Sequence, residues 1–148
     1  MKSLIKTLVE TPGPSGFEYE IRDVIRKAIA DVADEVWVDA MGNLIVRKGT
    51  KTEAGLRVMI SAHIDEIGLM VTHIDDLGFV RFINIGGVSP LTCYGGRVVF
   101  MNGTKGVIGM DSIERGKAPS LNDLFIDVGA ASKEDCPVKV GDVCGFDR

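Results

Sequence analysis

Apolar residues near the start of the chain recur at helical spacing. Leu4, Ile5, Leu8 and Val9 fall on one face, which predicts a short helix over 3–10, ended by Thr11-Pro12-Gly13-Pro14. A second helix is predicted from the repeat Ile21, Ile25, Ala28, Ile29 and Val32, running to about Asp34. Ser15 and Glu18 stand ahead of it at capping-box spacing, where each side chain can satisfy a free amide of the first turn. Arg22, Asp23, Arg26 and Lys27 lie off the apolar stripe and should face water.

From Glu35 the period becomes two. Val36 and Val38 alternate with Trp37 and Asp39, Met41-Gly42-Asn43 supplies turn chemistry, and Leu44-Ile45-Val46 starts a return strand. The segment from Lys48 to Gly55 is polar and reads as an exposed loop. Leu56 to Ala62 is nearly continuous in apolar residues, the pattern of a strand buried on both faces. Gly68–Ile74 follows closely, and then come short strand patterns at Phe79–Ile85, Arg97–Met101, Gly106–Met110, Leu124–Val128 and Asp142–Phe146. No helix is predicted in this second half, where Ser120–Leu124 makes one turn at most. The chain therefore divides into 1–66, helix–helix–strands like the opening of an α/β domain, and 67–148, a small β-barrel or sandwich.

Composition narrows the class. The chain has 148 residues, 45% hydrophobic and 26% charged, with 18 glycines, which describes a globular protein rich in turns. Its net charge of −4 is spread without a basic stripe, so nucleic acid is not expected as a partner. No apolar run approaches the ~20 residues that a membrane-crossing helix needs. Thr7, Glu10 and Pro12 interrupt any signal-peptide core, and the chain reads as cytoplasmic. Cys93, Cys136 and Cys144 are odd in number and lack close metal-type spacing, so they read as buried or half-buried free thiols. Asp75-Asp76 before Leu77-Gly78 reads as a hairpin turn, and Gly86-Gly87 and Gly95-Gly96 as turns or bulges.

The densest polar cluster on an apolar background is Ser61-Ala62-His63-Ile64-Asp65-Glu66-Ile67-Gly68, where a buried strand should end. His63 and Asp65 are two apart and would project to one side of an extended segment. A neutral imidazole can bind a divalent metal while a neighbouring carboxylate fixes its tautomer. A bare His-x-Asp is short and common, and it equally describes a satisfied histidine beside a solvated acidic pair. Zinc catalysis uses about three protein ligands per metal, so these residues make half a site at most.

The stretch Ser61–Val71 closely resembles the first metal-binding signature of the tetrahedral (TET) and glutamyl, or deblocking, aminopeptidases. Glu10-Thr-Pro-Gly-Pro-Ser-Gly-Phe-Glu18 is similar to that family's opening loop, and Val38-Asp-Ala-Met-Gly-Asn-Leu44 to its first hairpin. Ile85-Gly-Gly-Val88, Lys117-Ala-Pro119 and Leu124-Phe-Ile-Asp-Val-Gly-Ala130 resemble markers of its β-rich second domain. The matches keep the family's order and span essentially the whole chain.

The resemblance implies the N-terminal part of a zinc-exopeptidase-like α/β catalytic domain over 1–66, followed by a small all-β, barrel-like dimerisation domain over 67–148. It implies His63 as a ligand to one of two divalent ions, zinc or cobalt, and Asp65 as the catalytic acid that orients the site. Glu66 matches the signature without an assigned role, and His73 matches no ligand position. The implied partners are peptide substrates and further copies of the chain through the β-rich part, with a complementing C-terminal chain as an open alternative. Family members are about twice this length, with the remaining ligands and the general-base glutamate beyond the second domain. The expectation is a metal-dependent aminopeptidase segment that is inactive alone, binding at most one metal weakly. The strand Leu56–Ala62 would lack its neighbours, so self-association, a complementing chain or partial disorder within 1–66 is expected. Two alternatives stay open: a non-catalytic oligomerisation module, and part of a different co-catalytic zinc hydrolase such as an endoglucanase-labelled relative.

Overall fold

Alternation of apolar and polar residues in the second half closes a sheet on itself. The computed structural model describes residues 1–50, 52 and 55–147. It contains helices α1 (Lys2–Glu10), α2 (Tyr19–Ala28) and α3 (Pro90–Cys93). Its strands are β1 (Glu35–Val38), β2 (Leu44–Arg47), β3 (Gly68–Ile74), β4 (Val80–Ile85), β5 (Arg97–Phe100), β6 (Lys105–Met110), β7 (Leu124–Asp127) and β8 (Val143–Phe146). Strands β3 to β8 form an antiparallel barrel in the order β3-β4-β7-β6-β5-β8, which closes by pairing β8 with β3. Closure removes the free edges that an open six-stranded sheet would present.

The inward positions follow the two-residue period. Leu69 and Val71 of β3, Val80 and Phe82 of β4, Val98 and Phe100 of β5, and Leu124 and Ile126 of β7 are buried together. In β3 the register against β4 shifts between Val71 and His73. The extra residue leaves both Thr72 and His73 exposed and returns Ile74 to the core, so His73 faces outward from the barrel. The three thiols are free: Cys93 and Cys144 are buried and Cys136 is half-buried.

The strands expected from alternation all form, within a residue or two of their expected limits. The four-residue α3 was not expected from the pattern. Pro90 at its first turn needs no amide partner there, and the Thr92 and Cys93 amides both donate to the Ser89 carbonyl. Asp75 makes the expected hairpin turn, its Oδ1 accepting the amides of Leu77 (3.1 Å) and Phe79 (2.8 Å).

The first half departs further from expectation. Helix α2 ends at Ala28, not near Asp34, and Val32 is exposed. Every residue of α1 is at least partly exposed, including Leu4, Ile5 and Val9 of its apolar face. The hairpin β1–β2 forms with Val36 opposite Val46, and Asp39 Oδ1 accepts the amides of Met41 and Asn43, both at 2.9 Å. The buried strand expected at Leu56–Ala62 is absent. That segment pairs with no strand, and Leu56, Met59 and Ile60 are about nine-tenths exposed, at 92%, 89% and 93%. An apolar run becomes a buried strand only where neighbours cover both its faces, and none of the described residues does so here. Residues 51, 53 and 54 of the expected polar loop lie outside the described residues.

Candidate functional site

The loop Gly13-Pro14-Ser15 is carried to the start of the barrel by backbone pairing. The Glu66 amide donates to the Gly13 carbonyl at 2.9 Å, and the Ser15 amide donates to the Glu66 carbonyl at 3.2 Å, so Pro14 and Glu66 form an isolated parallel bridge. Glu66 Oε1 also accepts the Gly13 amide at 3.2 Å. A turn follows, closed by the Phe17 amide on the Pro14 carbonyl at 2.7 Å, and Gly16 takes φ +89°, which only glycine adopts without strain.

This arrangement joins Ser15 to the residues the sequence singled out. Ser15 Oγ donates to Asp65 Oδ2 at 2.5 Å. Asp65 Oδ1 lies 3.1 Å from His63 Nδ1, and the Asp65 carbonyl oxygen lies 2.9 Å from the same nitrogen. Both neighbours of Nδ1 are acceptors, so the neutral ring carries its proton on Nδ1 and leaves the Nε2 lone pair outward. The Ser15 hydroxyl holds the Asp65 carboxyl below the usual carboxylate range, and the His63 contact adds to the effect while partial burial opposes it. The His63 side chain is 84% exposed, so hydrogen bonds, and not packing, fix its orientation.

His63 and Asp65 line a groove of about 650 Å³ between the hairpin turn Met41–Val46 and the segment Val58–Asp65, with Glu18 at its edge. Arg22 Nη1 donates to the Gly42 carbonyl at 2.7 Å, which ties α2 to the hairpin turn that walls the groove. Glu18 does not complete a capping box with Ser15. Its Oε1 accepts the Gly16 amide at 2.6 Å, and it occupies the N-cap position of α2 without a side-chain cap bond. The helix begins only at Tyr19, which frees the Ser15 hydroxyl for Asp65. Ser15 is thus the site residue that sequence reasoning missed; its place in Gly-Pro-Ser-Gly was the signal, read as helix capping instead.

A metal ion fits the exposed Nε2 of His63 at one coordination position. Among the described residues no three His, Cys, Asp or Glu side chains converge as the ligands of one ion. Among the described residues, too, no helix is long and apolar enough to cross a membrane.

Comparison with known proteins agrees with the resemblance seen in the sequence. Residues 42–148 match the family model described as M42 glutamyl aminopeptidase. The lysyl aminopeptidase of Pyrococcus furiosus is 39% identical over 144 residues, covering 89% of this chain and 40% of that protein. The Pyrococcus horikoshii TET1 peptidase, which can assemble into a tetrahedron or a large octahedral shell, superposes with a TM-score of 0.85 at 42% identity, over 97% of this chain and 46% of that one. A Thermotoga maritima structure described as an endoglucanase superposes with a TM-score of 0.83 at 36% identity, over 95% and 43%. The chain thus spans less than half the length of the relatives it matches. On a family match that covers well over half of its residues, this chain belongs to the M42 glutamyl aminopeptidase family.

Proposed function

We propose that this chain supplies part of a metal-dependent aminopeptidase that removes N-terminal residues from peptides, and that alone it does not turn over substrate. The observation that carries the reading is the His63–Asp65 pair, with Nδ1 held by two oxygens and Nε2 turned outward. In this role His63 is a metal ligand and Asp65 the acid that sets its tautomer. One imidazole cannot hold two ions, and Glu18, at the edge of the groove, accepts the Gly16 amide. Residues 1–66 are then a segment of the catalytic domain, and 67–148 a barrel domain through which copies of the chain associate. The family match and the shell-forming TET1 relative support that assembly role. The aminopeptidase reading is preferred to glycoside hydrolysis because the family model matched over residues 42–148 is described as glutamyl aminopeptidase.

The test is hydrolysis of aminoacyl anilides by the purified chain with cobalt or zinc, against a chelator control. The expected result is no metal-dependent turnover by the chain, with zinc perturbing the His63 ring. Turnover that co-purifies with the chain and is abolished by His63→Ala would overturn the inactivity and point to a site assembled between copies.

A further inference from the structure

The Ser15 hydroxyl has no helix to cap, yet it makes a 2.5 Å bond to the acid that holds His63. We propose that Ser15 is a positioning residue, whose bond to Asp65 Oδ2 leaves Oδ1 facing His63 Nδ1 and so presents the Nε2 lone pair to the groove. The inference rests on the reading of His63 as a ligand for its purpose, but not for its geometry.

Three features make the relation directional. Ser15 is held at both sides, by its amide on the Glu66 carbonyl and by the Pro14–Phe17 turn, so its hydroxyl has a fixed origin. Asp65 is 40% exposed at its side chain and would rotate about its last bond if Oδ2 lacked a donor. The imidazole is more exposed still, and both hydrogen-bonding contacts of its Nδ1 are with Asp65. Loss of the Ser15 donor therefore lets Oδ1 turn away and leaves the Asp65 carbonyl as the remaining acceptor on Nδ1, which weakens the preference for the Nδ1–H tautomer and loosens the ring, without removing any contact that α2 uses for folding.

The experiment is long-range proton–nitrogen correlation NMR of histidine-labelled chain, well above the ordinary imidazole pKa of about 6.5. His73, exposed on the barrel, is the internal reference. In the parent chain His63 should be the Nδ1–H form. Ser15→Ala should convert it to a mixture containing Nε2–H, with far-UV circular dichroism unchanged, and Ser15→Thr should restore the parent spectrum. Asp65→Asn, which removes the acceptor charge while keeping the shape, should likewise lose the uniform tautomer. A Nδ1–H signal unaltered by Ser15→Ala, or a parent ring already in the Nε2–H form, overturns the proposal. Added zinc separates this outcome from the ligand reading: a Ser15-dependent tautomer whose Nε2 ignores zinc sustains the positioning role and removes the metal role.

Discussion

Pro14 and Gly68 meet so closely that a methyl group on Gly68 would stand 2.8 Å from Pro14 Cβ and 2.7 Å from the Cys144 carbonyl oxygen. The first strand of the barrel and the loop that carries Ser15 are thereby seated on each other. Gly68→Ala should push the loop away from Glu66 and cost about 1–3 kcal/mol, as overpacking of a filled site does. Urea unfolding gives the loss, and the Ser15 and Glu66 amide signals should shift together. Unchanged amide signals would mean that the loop is not held against the barrel in solution.

Burial separates the two apolar populations of the chain. Phe100 is 1% exposed inside the barrel, whereas Ile60 is 93% exposed on the unpaired segment. Phe100→Ala should destabilise by about 3–5 kcal/mol. Ile60→Asp should change the unfolding free energy by no more than about 0.5 kcal/mol and raise solubility. A large loss from Ile60→Asp, measured by the same denaturation, would show that the segment is packed in solution against another copy.

Burial also pushes the Cys144 thiol up to about 12, against an ordinary value of 9.0. Cys93 is raised by the same cause. Between those two values for Cys144 the folded chain keeps a proton that the unfolded chain has lost, so stability should fall as pH rises across that window. A disulfide reagent at mildly alkaline pH should modify half-buried Cys136 first and leave Cys144 unmodified until the barrel unfolds. Early modification of Cys144, mapped by mass spectrometry, would contradict a closed core.

The hairpin turn should respond to acid. The Asn43 side chain and amide, then the Met41 amide, hold the Asp39 carboxyl below its ordinary value of 3.8. The support this gives is complete above that ordinary value and is lost as pH falls through the lower folded one. Acid titration followed at the Met41 and Asn43 amides should show the turn loosening there, and Asp39→Ala should abolish the transition. A transition that survives the substitution would assign it to another acid.

The sequence by itself determined the elements whose information is local. Short strand patterns located all the barrel strands, Gly68–Ile74 as an apolar segment, because each needs only one apolar face turned inward. Turn chemistry located the hairpin at Met41-Gly42-Asn43 and the turn at Asp75. His63 and Asp65 were also legible as a candidate pair, since the two lie within one extended segment. What only the tertiary structure decided was everything that depends on distant neighbours. Strand order and closure rest on pairing β8 with β3, some seventy positions apart in the chain. The run Leu56–Ala62 has the composition of a buried strand, but burial is a property of what surrounds it, and here it lies exposed. Ser15 carried a helix-capping pattern that was locally sound. A contact with Asp65, fifty residues on, claimed its hydroxyl instead, because backbone pairing with Glu66 brought the two side chains together before the helix began.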